Sequence, residues 1–81
     1  MSIFEDLKPV LQHGDLEILT AASLHMQGLG YTTHVGPFDE LPADLRLEWM
    51  QPDVGGYLLH IDRDRWDEGM NALGTYFGYP G

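Results

Sequence analysis

The chain has 81 residues and no cysteine, which bounds it to a single domain over 1–81 without a disulfide or a thiolate metal site. Thirteen acids against four cations (Lys8, Arg46, Arg63 and Arg65) give a formal charge of −9. That balance argues against direct binding of nucleic acid, which needs a basic surface, and against docking on anionic membranes. Apolar residues make up 43 % and are regularly spaced, unlike a disordered chain. No apolar run approaches the ~18 residues of a membrane span. The opening MSIFEDLKPV lacks a secretory apolar region, so the expectation is a cytoplasmic protein. A core this small leaves roughly 3–5 kcal/mol of net stability, and a homodimer would add buried surface.

The opening SIFE fits a capping box, with Ser2 as N-cap and Glu5 three residues on. Pro9 then divides the reading of LKPVLQ between the end of a short helix and an edge strand, with the strand preferred. GDLEILTAASLHMQGLG predicts a helix. Asp15 is its N-cap, and Glu17 in the first turn suits the helix dipole. Leu16, Leu19, Ser23 and Met26 recur at helical spacing, and Ile18, Ala21 and Ala22 widen that side. Gly28 or Gly30 supplies the left-handed stop.

YTTHV predicts a strand with Tyr31, Thr33 and Val35 on one face and Thr32 and His34 on the other. GPFDELPAD is a loop. LRLEWM alternates as a further strand, with Leu45, Leu47 and Trp49 opposite Arg46, Glu48 and Met50. QPDVGG is a turn, and the apolar YLLHI suits the middle of a sheet. From Asp62 the period changes: Trp66, Met70, Leu73 and Phe77 form a helical stripe. Gly69 and Gly74 weaken that helix, and Gly78 and Pro80 end it.

These elements predict an α+β fold: a small sheet of three or four mostly antiparallel strands, with two helices packed on one face. A right-handed crossover through the first helix would bring the first two strands together in parallel, a ferredoxin-like βαβ arrangement.

The segment LHIDRDRWDEGM carries a choice of chemistry. If the strand continued past Ile61, His60, Asp62 and Asp64 would share a face and hold a divalent cation. The change of period favours a join instead, with Asp62 capping the helix and Asp64, Asp67 and Glu68 facing its dipole. His34 and His60 both lie on predicted strands, so a metal or enzymatic site of His34, His60 and Asp62 stands as the second reading. His13 and His25 have no partner in the sequence pattern. Ser2 and Ser23 lack a Gly-x-Ser-x-Gly context, GLGY is not a G-x-G-x-x-G motif, and DVGG lacks the lysine of a P-loop. No catalytic residue and no cofactor are assigned.

The aromatic residues Trp49, Tyr57, Trp66, Tyr76, Phe77 and Tyr79 crowd the C-terminal half. Tyr76 and Tyr79 lie off the helical stripe and suit an interface. Acids Asp39, Glu40, Asp44 and Glu48 would steer a partner, which points to a protein-interaction or regulatory domain with a basic partner. An acidic inhibitor, of immunity or phage type, that occupies a basic nucleic-acid-binding site is a sharper version of that reading.

EILTAASLHMQGLGYTTHV and GGYLLHIDRDRWDEGMNAL resemble the first helix with its following strand, and the closing strand and helix, of the small bacterial prokaryotic signal-transducing proteins. The resemblance spans roughly residues 7–78. It implies a small ferredoxin-like domain that binds or regulates, with no catalytic residues to carry over. Gly69, where that pattern favours alanine, and the start FEDLKP depart from it.

Overall fold

The computed structural model describes residues 3–78. Ser2, Tyr79 and Pro80, read above as a cap, a contact and a helix stop, lie outside those residues. Strand β1 (Leu7–His13), helix α1 (Leu16–Gly28), strand β2 (Thr33–Pro37), strand β3 (Tyr57–Asp62) and helix α2 (Trp66–Phe77) follow in order. Short 3-10 turns at Ile3–Glu5, Phe38–Glu40, Ala43–Leu45 and Arg63–Arg65 join them. The fold is α+β, with sheet order β1–β3–β2 and both outer strands antiparallel to β3.

The central place of β3 follows from its composition. Leu58, Leu59 and Ile61 are all fully buried, and on a pleated strand they point alternately to opposite faces. A strand covered on both faces belongs in the middle. β1 and β2 therefore run parallel to each other but do not pair, because β3 lies between them. The expected side-by-side pairing of the first two strands is corrected to a split βαβ unit.

Each face has its own apolar cluster. On the helix side, Leu19, Ala22 and Met26 of α1 and Leu73 of α2 pack with Tyr31, Leu59 and Ile61. On the other side, Leu58 lies under Phe38, Leu41 and Met50 from the long 38–56 connection. That connection forms a third layer instead of the strand expected at 45–50. Met50 is buried while Leu45 and Trp49 stay exposed, so the alternation of LRLEWM does not set its burial. Both edges of β3 are occupied, and the apolar residues of the connection are buried by lying flat on the sheet.

Asp15 caps α1 as its sequence position predicts: its carboxylate accepts the Glu17 N–H at 3.0 Å. Gly30, at φ 98°, makes the left-handed exit. Asp62 does not cap the last helix. It ends β3, and its carboxylate accepts the Thr32 N–H at 2.8 Å. The chain then makes a 3-10 turn before α2, whose N-terminus has no side-chain cap.

The inward stripe of α2 is also shifted from expectation. Met70 is exposed and Gly69 is buried. A Cβ on Gly69 would collide with Ile61 Cδ1 and crowd the Tyr31 ring, so the missing side chain is what lets α2 approach the sheet.

The β1 edge is closed over its first half. Pro9 has no N–H to offer another strand, and its carbonyl accepts the Trp66 indole N–H at 2.9 Å. The β1–β3 register slips between Pro9 and Leu11, a further break in any added ladder. Arg63 fastens the N-terminal turn by donating to the carbonyls of Phe4, Glu5 and Leu7.

Candidate functional site

The antiparallel register of β2 and β3 sets His34 opposite His60. Both side chains share the sheet face covered by the 38–56 connection, and their rings lie 5.5 Å apart. His60 is 1 % exposed, packed between His34 and the Phe4 ring at 5.3 Å, and among the described residues neither of its ring nitrogens has a hydrogen-bond partner. Burial, followed by the nearby His34, lowers its pKa from 6.5 to about 4, so the ring is neutral at neutral pH.

His34 sits nearer the surface. Its Nε2 lies 2.9 Å from a Glu40 carboxylate oxygen. Gly36, two residues along β2 on the same face, makes this pair fit. A Cβ there would occupy the position of the Glu40 carboxylate and touch the His34 ring. The sequence pattern flagged His34 and His60 as neighbours but not Gly36, Glu40 or Phe4 as their surroundings. A glycine at an alternate position of a strand, four residues before an acid, is the only local sign.

Asp62 does not join the histidines, because its carboxylate is held by Thr32. Among the described residues, no group of three or more histidine, aspartate or glutamate side chains is placed to hold a metal ion. The other histidines have local roles. His13 Nδ1 accepts the Asp15 N–H, and His25 stacks on Tyr76 at 4.5 Å.

The residues expected to bind a partner divide between two layers. Asp39, Glu40, Asp44 and Glu48 are all exposed on the 38–56 connection. Tyr76 lies on α2, across the sheet from them, and its ring also meets Phe77 edge-on. Tyr79 is outside the described residues. The acids and Tyr76 therefore do not make one surface.

The cations are turned toward rings and carbonyls. Lys8 lies over Trp66 at 4.1 Å, Arg46 over Phe38 at 4.6 Å and Arg65 over Tyr31 at 4.0 Å. Arg65 also donates to the Gly30 carbonyl, and Arg63 donates to the three carbonyls named above. Among the described residues the ion pairs are Arg65–Glu68 and His34–Glu40.

No family model, curated protein or solved structure matches the chain. Of the resemblance drawn from the sequence, what stands is the small α+β fold with a three-stranded antiparallel sheet. No described helix is long and apolar enough to cross a membrane.

Proposed function

We propose that the protein is a non-enzymatic interaction domain that binds a basic protein partner through its 38–56 layer. The observation that carries this reading is the separation of charge. The chain carries −9, yet its four cations are used on rings and carbonyls, and Arg65–Glu68 is the one pair with Lys or Arg among the described residues. Asp39, Asp44 and Glu48 are thus exposed carboxylates without a cation partner among the described residues. Such a layer accelerates encounter with a basic surface and repels acidic ones. An acidic inhibitor that fills a nucleic-acid-binding site is the form of this function in which nucleic acid competes for the same partner.

The test compares capture of partners from native cytosol by the parent chain and by a variant with Asp39→Asn, Asp44→Asn and Glu48→Gln. The expected result is a basic protein that binds the parent at low salt, is released at high salt and is lost in the variant. Equal capture by both proteins, or capture indifferent to salt, refutes the proposal. Homodimerisation is a separate proposal, supported by apolar contact area instead of charge: the exposed Trp49 and Val54 beside Val10 and Leu11. Light scattering that gives a single 9.1 kDa chain in solution refutes it.

A further inference from the structure

Under β1, on the side of the 38–56 connection, lies a cavity of about 200 Å³. Its deepest residues are the buried Leu7, Pro9 and Leu41, and Phe4, Leu45 and Leu47 complete an apolar wall. Three of the chain's four cations, Lys8, Arg46 and Arg63, also line it, against one acid, Asp44. On a chain with thirteen acids and four cations, this is an inversion of the surrounding charge.

The cations retain bonding capacity. Among the described residues, the side chains of Arg46 and Lys8 contact the rings of Phe38 and Trp66 and donate no hydrogen bond. Arg63 donates through Nε and one Nη, and among the described residues its other guanidinium nitrogen has no acceptor. Asp44 pairs with none of the three within ion-pair distance. An arginine with spare donors at an apolar opening is suited to a carboxylate, which it grips in a bidentate fork.

We propose that this cavity binds a small apolar carboxylate, with its hydrocarbon part against Leu7, Leu41 and Leu47 and its carboxylate at Arg46. The size limits the ligand: a dry cavity of about 150 Å³ takes a benzene ring. A ring or short branched chain bearing one carboxylate therefore fits. The cavity shares Asp44 with the acidic surface assigned above, but benzoate titration of the parent chain involves no protein partner, so its failure and the failure of partner capture are distinguishable.

Titration of the full chain with benzoate, followed by amide NMR shifts, tests the site. Benzamide serves as the uncharged ligand of the same shape. Benzoate is expected to move Leu41, Leu45 and Leu47 in a saturable way with Kd on the order of 1 mM, as suits so small a ligand. Benzamide should bind about tenfold more weakly, for want of the charge-assisted hydrogen bond. The chain's overall negative charge acts against benzoate, so a preference for it must come from the site. Arg46→Gln, a change at an exposed residue, should lower benzoate affinity about tenfold and leave benzamide unchanged. Absence of saturable shifts up to about 20 mM, twentyfold above that constant, overturns the proposal. So does equal binding of the two ligands, or benzoate affinity that Arg46→Gln does not alter.

Discussion

Replacing His60 by leucine tests the physics of the histidine pair. His60 is buried, both its nitrogens lack a partner among the described residues, and its pKa is lowered to about 4. In the unfolded chain the ring takes a proton near its ordinary pKa of 6.5, while in the folded chain it stays neutral until about 4. Between these values the unfolded state binds more protons, so the residue withdraws stability as pH falls through that window. The loss attributable to this ring is about 2 kcal/mol at pH ~5 and about 3 kcal/mol in the limit below 4.

Leucine has nearly the volume of histidine and no polar atom. Removing an unsatisfied buried group contributes about 1–3 kcal/mol, part of which is given back as imperfect packing against Phe4 and His34. His60→Leu is therefore expected to be about 1 kcal/mol more stable than the parent at neutral pH and to widen its lead by about 2 kcal/mol at pH ~5. Urea unfolding of both proteins at matched pH reads the difference directly, and the carboxylates common to both cancel. A variant less stable than the parent at neutral pH would refute the account of an unsatisfied ring. Parallel loss of stability in both proteins below pH ~6.5 would refute the linkage.

The two glycines of α2 should respond in opposite directions. Gly69→Ala drives a Cβ into Ile61 and is expected to cost about 1–3 kcal/mol by overpacking, whereas Gly74→Ala meets open space and should stabilise by up to about 1 kcal/mol through helix propensity. Chemical denaturation of the pair checks both signs, and equal effects would show that helix propensity alone governs α2. Trp66→Phe removes the indole hydrogen bond to Pro9 and should destabilise by about 1 kcal/mol, with faster exchange of the β1 amides in hydrogen-exchange NMR. Unchanged β1 protection would show that the indole does not hold this edge.

Periodicity carried much of the fold. Asp15, the helical spacing of Leu19 and Met26, and the apolar run of β3 are each local signals, and each has its expected structural place. Local signals misled where burial depends on what lies opposite. The alternation of LRLEWM suits a strand, but Leu41 and Met50 of that connection are buried against Leu58 on the face of the sheet, which takes the segment out of the plane of the ladder. The apolar spacing puts Met70 in the α2 stripe, because a glycine carries no side chain by which a pattern can mark it as inward. Its neighbour Gly69 faces the sheet because only there can the helix come close to Ile61.

The histidine pair divides the same way. The sequence by itself determined that His34 and His60 lie on strands, and that acids outnumber cations thirteen to four. Register is a tertiary property, and it decided that they face each other while Asp62 turns to Thr32. The same holds for LHIDRDRWDEGM. Its apolar residues determine a change from strand to helix, because their period changes at Asp62, whereas the alternating acids and histidine by themselves suit a continued strand. Only packing decided that Asp62 ends the strand without capping the helix, and that His60 is sealed beneath Phe4. Contacts between residues distant along the chain set those outcomes, and a one-dimensional pattern does not encode them.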